Sequence, residues 1–321
     1  MDADEPGEYM EIEEMTHRPK RSLKSYFGIA LRGVCMGAAD VVPGVSGGTM
    51  ALITGIYEEL ILSIRSFDAR SARLLMGLRI RALLDYVRWP FLCALVAGIL
   101  VAIFSLSRAI TYLLENEPVS LWSFFFGLVL ASVFTVGRRI PQWNLRMFLG
   151  AVGATLGAYF LVGLVPVEMP HSPPYIFCSA VVAICAMILP GISGSFVLVL
   201  LGQYPYLLNA INTRDLFTIA LLGAGAAVGL MAFSRVLNWF FRHYHDLTIA
   251  LLTGLMLGSL RKIWPWKETV ETLVNGHGKV VPLVQVNALP EGWSGEVMGA
   301  IGLALLGLVL VLVLERLAGR K

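Results

Sequence analysis

Apolar residues run in long blocks along this chain, separated by short polar stretches. Six blocks, at roughly 89–112, 119–137, 144–165, 216–240, 247–263 and 296–315, read as helices that each cross a bilayer. Two further blocks, 27–64 and 174–211, are interrupted midway. Each reads as two half-helices that enter and leave the membrane on the same side. Irregular backbone at that depth is stable only where protein buries it or where it lines a wet cavity.

The interruption is the same in both blocks. Pro43-Gly44-Val45-Ser46-Gly47-Gly48 returns as Pro190-Gly191-Ile192-Ser193-Gly194-Ser195, a shift of 190 − 43 = 147 positions. The register continues outward, with Gly55 and Tyr57 matching Gly202 and Tyr204. A looser echo links Gly127-Leu128-Val129-Leu130-Ala131-Ser132 to Gly254-Leu255-Met256-Leu257-Gly258-Ser259, with a gap needed between the two registers. A helix-breaking loop placed twice at membrane depth predicts two related halves, with the working site where the breaks meet.

Composition agrees with a membrane protein. The chain is 57% hydrophobic and only 15% charged, with mean hydropathy +0.73, whereas a soluble domain carries about a quarter charged residues. The first 14 residues are acidic and lack the apolar core of a signal peptide. Residues 1–24 read as a disordered tail whose Arg18, Lys20, Arg21 and Lys24 meet anionic lipid heads. The four cysteines fall in apolar blocks without metal or disulfide spacing and read as core filler.

Charge orients the chain. With the N-terminus inside, segment 65–88 is cytoplasmic and carries Arg65, Arg70, Arg73, Arg79, Arg81 and Arg88. Arg138, Arg139 and Arg146 return inside, as do Arg242 and the C-terminal Arg316, Arg320 and Lys321. The turns around Glu115 and between Pro166 and Pro174 fall outside without Lys or Arg, and the outer loop 264–295 holds only Lys267 and Lys279. One hairpin and three spans make each half. Three is odd, so the second half is inverted. The predicted fold is therefore an all-α polytopic membrane protein. It is an inverted-topology repeat of about six full transmembrane helices and two broken re-entrant hairpins, with both termini inside. The first repeat covers 25–165 and the second 166–321.

The repeated loop has two readings. Pro and Gly end one half-helix and start another, whose free N–H groups and positive dipole end suit a phosphate or carboxylate. Gly44, Ser46, Gly47, Gly48 and Thr49, with Gly191, Ser193, Gly194 and Ser195, would then bind the anion near the midplane. Alternatively the serines cap their own helices and the glycines permit close packing. Two copies in matched register favour the anion site. Arg32 flanks the first loop, and Arg108 and Arg261 lie toward the outside, either as cations of a phosphate site or as interfacial anchors. Asp40, Glu58 and Glu59 also sit near the first loop, where a charge at bilayer depth usually has a function. Glu58, Glu59 and Arg32 read equally as side chains snorkelling to the surface.

Gly44-Val45-Ser46-Gly47-Gly48 also fits serine-hydrolase patterns, but the five histidines all fall in tails or loops, away from any span. No Gly-Lys-Ser or Gly-Lys-Thr follows either loop, so a nucleotide phosphate loop is unsupported. Nothing points to nucleic acid, a metal or a resident cofactor.

The run from Gly37 through Asp40, Pro43, Gly44, Ser46, Gly47, Gly48 and Thr49 to Leu52, with Gly55, Ile56, Tyr57 and Glu58, strongly resembles the bacterial and archaeal polyprenyl-phosphate transporter family. Leu189 to Ser195 fits the same family, and the resemblance covers about residues 25–315. It implies a flippase of the bacterial cytoplasmic membrane that returns undecaprenyl phosphate to the inner leaflet for peptidoglycan and other envelope glycans. Polyprenyl phosphate and membrane lipids are the implied partners, and a homodimer is compatible with it. Moving a negative charge inward opposes the membrane potential by about 2.3 kcal/mol per 100 mV. Accumulation inside would therefore favour coupling to a proton or sodium ion, for which Asp40, Glu58 and Glu59 are the candidate ligands. Two rivals remain. An undecaprenyl-pyrophosphate phosphatase has a related loop, but with Arg where this chain has Gly47 and Gly194. A water or ion channel also uses two half-helices meeting at the midplane.

Overall fold

The computed structural model describes residues 21–42, 45–164, 166–167, 169–274, 280–290 and 292–318. The acidic tail expected over residues 1–20 lies outside the described residues, as does Gly44.

Helix α1 (Leu23–Asp40) begins before the expected start at residue 27, because Ser22 caps it and accepts from Ser25 N–H. After the first loop come α2 (Gly47–Ile53) and α3 (Tyr57–Arg65). The arginine-rich segment folds into two short helices, α4 (Ala69–Met76) and α5 (Ile80–Tyr86). Three apolar helices follow: α6 (Trp89–Asn116), α7 (Pro118–Gly137) and α8 (Leu145–Leu161). Pro90 and Pro118 sit in the first turns of α6 and α7, where a missing N–H costs nothing. The second half runs α9 (Pro173–Ile188), α10 (Gly194–Leu200), α11 (Tyr204–Asn212), α12 (Leu216–His243) and α13 (His245–Ser259). Strands β1 (Lys267–Val274) and β2 (Val280–Asn287) pair antiparallel before α14 (Gly295–Ala318).

Among the described residues, α6, α7, α12 and α14 are long and apolar enough to cross a membrane, and α10 with α11 is a pair bent by 110°. The chain is thus a multi-pass helical membrane protein. Two of the six expected spans are shorter than anticipated. Helix α8 has 17 residues and α13 has 15, about 25 Å and 22 Å against a hydrocarbon core of about 30 Å. Helix α8 stops short of Gly163 and Pro166, and α13 stops before the turn that carries Arg261 and Lys262. Each interrupted block also breaks twice instead of once. The additional break is at Gly55 and Gly202, whose φ values of 72° and 67° lie in the left-handed region that glycine tolerates.

The element bounds carry the repeat further than the motif did. Adding 147 to the ends of α2 and α3 gives those of α10 and α11. Adding 127 to the ends of α6 gives those of α12. The difference, 147 − 127 = 20, is the extra length that α4, α5 and their links add before α6. The gap required by the looser echo is therefore a helical insertion in the first half.

Packing follows the same correspondence. Helix α1 lies on α6 and α9 on α12, within each half. Gly98 meets the Ala30 backbone and Gly225 that of Phe177, which are matched positions in the two registers. The other two spans exchange partners: α7 packs on α14, and α13 on α8. Gly127 lies against the Ala304 carbonyl and Gly254 against that of Ala151, so the echoed glycines do one job in both halves. In the centre α2 is buried along its whole length, with Val45, Met50, Ala51, Leu52 and Ile53 in the main core.

Candidate functional site

The two loops bond directly to each other. Ser46 caps α2 by accepting from Gly48 N–H at 3.1 Å. Its own proton points across to the other loop, where Met187 and Leu189 carbonyls lie 3.3 and 3.2 Å away. Tyr57 OH donates to the carbonyl between them, that of Ile188, at 3.0 Å. Gly191 N–H donates to Thr49 Oγ1 at 3.0 Å. Thus the end of α9 is held by donors from the first loop and the start of α3, and Gly191 of the second loop by an acceptor on α2. Ser46, Thr49 and Tyr57 are 1%, 0% and 2% exposed. Hydrogen bonds so shielded from water are costly to leave unmade.

The neighbourhood of the first loop is charged on one side. Asp40, the last residue of α1, accepts from Gly47 N–H at 2.7 Å. Its carboxylate thereby takes the position at the start of α2 that the sequence reading gave to an external anion. At the other end of α2, Arg139 donates to Ile53 O at 3.2 Å. Gly48 has no room for a side chain, since a Cβ would stand 2.6 Å from Ile188 O. With seven residues each, α2 and α10 carry only about two turns of aligned dipoles.

The second loop is less committed. Ser193 makes no capping bond to its helix, and its hydroxyl pairs with that of Ser195 at 2.8 Å. Gly191 lies against Ser259 and Met256 of α13, and Gly194 against the Ala183 carbonyl of α9. Lys262 places its ammonium 4.6 Å from the Phe196 ring centre, one residue past Ser195. Lys262 stands in the turn that follows α13. Its approach to Phe196 depends on how α13 packs beside the second loop, which the apolar pattern alone does not show.

The remaining candidates do not converge here. Glu59 is held by Arg21 through two 2.8 Å bonds, with Arg88 at 3.9 Å, and Glu58 lies 3.4 Å from His245. Among the described residues no group of three or more His, Cys, Asp or Glu is arranged to hold a metal ion, and Asp40 shares no bonding partner with either glutamate. Arg261 donates to Tyr159 O at 2.9 Å and lies over that ring at 4.4 Å, in the manner of an interfacial anchor. Arg32 is half-buried on α1, two turns before Asp40, and Arg108 is exposed on α6. Neither bonds to a loop among the described residues.

The segment 264–295, expected as an outer loop, contains regular structure. Its β-rich runs form β1 and β2, which pair antiparallel. Lys267 opens β1, donates to Lys262 O at 2.7 Å and lies 4.2 Å from the Trp122 ring centre. With Trp266, Trp293 and Glu296 it lines a cavity of about 620 Å³. Burial, reinforced by the Lys262 charge, pushes the Lys267 ammonium down to about 7. The neutral amine is the nucleophile, so Lys267 should gain reactivity as pH rises through 7. Cyanate at pH 7.5, followed by peptide mass spectrometry, should modify Lys267 at least tenfold faster than the exposed Lys24. Equal rates would show that the amine is not held neutral.

Ser46 touches no base among these bonds, which removes the nucleophile reading. Membrane helices closed around two bonded helix breaks are instead the architecture of a membrane transport protein. Comparison with known proteins makes the class specific. The chain belongs to the VCA0040-like, undecaprenyl phosphate translocase-like family, which it matches over residues 36–281. A polyprenyl-phosphate transporter of Vibrio cholerae is 42% identical over 92% of this chain and 97% of that protein. One from Staphylococcus aureus is 30% identical over 73% of this chain and 85% of its own length. No solved structure matches the chain significantly. The protein is a transporter and not an enzyme, which sets aside the phosphatase alternative.

Proposed function

We propose that the protein is a translocase for undecaprenyl phosphate. In this reading it sits in the bacterial cytoplasmic membrane and returns the carrier from the outer to the inner leaflet for envelope glycan synthesis, peptidoglycan included. One observation carries the reading: two copies of a single loop bond to each other among membrane helices, in a chain 42% identical to a polyprenyl-phosphate transporter. The halves 25–165 and 166–321 are inverted repeats with both termini inside, which the exchange of partners between α7–α14 and α13–α8 supports. Each loop would face the lipid phosphate in turn. Ser193 and Ser195 are the hydroxyls best placed to receive it in this conformation, with Lys262 nearby and Ser46 and Thr49 engaged between the loops. Inward movement of the anion is coupled to a proton or sodium ion, and Asp40 is the candidate ligand because it alone of the three carboxylates touches a loop.

Leaflet exchange of a fluorescent polyprenyl phosphate in liposomes tests this. The protein should accelerate exchange, and more so with a pH gradient directed to drive it. Combined Ser46→Ala and Ser193→Ala should slow exchange at least tenfold while the protein stays folded. No acceleration by folded wild-type protein would sink the proposal, and ion flux without saturation would turn it toward a channel.

A further inference from the structure

A second cavity, of about 590 Å³, opens between α7, α8 and α13. Its walls are almost wholly apolar and include Val152, Thr155, Gly254 and Leu257, while Arg138 and Trp143 stand at one end. Along α8 it reaches from Phe148 to Thr155, about 10 Å of helix. The Trp143 indole donates to Gly137 O at 3.3 Å, at the junction of α7 with the turn before α8, a position typical of a membrane–water boundary. The Arg138 side chain is exposed and makes no hydrogen bond or ion pair among the described residues. Its neighbour Arg139 is the residue that donates to the end of α2.

We propose that this groove is the lateral port that holds the isoprenoid tail of a polyprenyl phosphate, with Arg138 facing its phosphate. The inference rests on the function proposed above and extends it to the part of the substrate the loops do not touch. Two features favour this occupant over an ordinary phospholipid. The groove is a single apolar channel with one guanidinium at its mouth, which suits one chain ending in one phosphate. It also shares its wall with the loop site. Thr253, Gly254 and Leu257 of α13 line the groove, while Met256 and Ser259 of the same helix lie against Gly191. A tail lodged there is separated from the second loop by the thickness of one helix.

Photo-crosslinking tests the port without requiring transport. Purified protein is irradiated with a diazirine-bearing polyprenyl phosphate or a diazirine-bearing phosphatidylglycerol, and labelled peptides are mapped by mass spectrometry. The prenyl probe should label the segments around residues 133–157 and 251–257 at least fivefold more than the phospholipid probe does. Val152→Trp and Leu257→Trp, both partly exposed in the groove, should each cut that labelling at least fivefold. Leu305→Trp, on the exposed face of α14, should leave it unchanged. Arg138→Ala should weaken capture of the prenyl probe more than that of the phospholipid. Equal labelling by both probes, or labelling that survives both groove variants, would overturn the port. The liposome exchange of the same variants separates the two ideas. Labelling in the groove without exchange by wild-type protein counts against the translocase, whereas exchange undiminished in both tryptophan variants counts against the port.

Discussion

Gly127→Leu should leave almost no folded protein. A Cβ at this position would fall inside the van der Waals envelope of the Ala304 carbonyl, and its nearest neighbours are all backbone atoms of α14. Backbone cannot turn aside as a flexible side chain can, so the two helices would have to separate. Overpacking typically costs about 1–3 kcal/mol, and separation of a whole helix pair places this change at or beyond the upper end. Association of membrane helices depends on close packing more than on expulsion of water, so the lost approach has little to replace it. Gly254→Leu should behave alike, because the Ala151 carbonyl occupies the equivalent place. Gly299→Leu and Gly302→Leu on α14 are the matched controls, with no atom within 4 Å of the added Cβ. Thermal unfolding in detergent, together with size-exclusion profiles, reads the difference. Equal melting temperatures for the Gly127 variant and the controls would show that the helices do not approach as described.

Asp40→Ala should reduce polyprenyl-phosphate exchange at least tenfold, and the comparison with Asp40→Asn identifies the cause. Alanine removes the acceptor of the Gly47 N–H bond. Asparagine keeps an oxygen that can accept that bond and removes only the charge and the titration. If Asp40 serves simply to hold the start of α2, asparagine should restore exchange. If it carries the coupling ion, asparagine should fail like alanine, and the dependence on a pH gradient should vanish with it. Exchange and pH dependence unchanged in Asp40→Asn would remove Asp40 from coupling and leave it as a cap.

Much of the architecture was legible because bilayer physics makes apolar length a direct signal. The four longest helices fall where the apolar blocks predicted them. The paired loops were legible because Pro is rare punctuation in the middle of such blocks, and the same six-residue pattern recurred at one spacing. What escaped had identifiable causes. The second break at Gly55 and Gly202 had been noted as matching residues, but a single glycine in an apolar run does not announce a positive φ. The β1–β2 hairpin was hidden in a loop read only for its charges. At the site, proximity in sequence misled for Glu58 and Glu59. They stand at the start of α3, and their partners come from distant segments, Arg21 and His245. Ser46 was recognised as polar and central, but only the fold shows its proton committed to carbonyls more than 140 residues away. Lys262 and the groove beneath Arg138 depend on how α7, α8 and α13 come together, which no local pattern encodes.

The exchange of partners between halves has a consequence for biosynthesis. Helices α7 and α8 leave the ribosome well before α13 and α14, and Gly127 must wait 304 − 127 = 177 residues for the carbonyl it packs against. During that interval the faces of α7 and α8 that will meet α14 and α13 are open to lipid or to other nascent helices. The α7–α14 pair therefore cannot form until α14 inserts. A ribosome that stops before α14 releases a chain with an unmatched surface, one that membrane quality control can distinguish from a completed protein.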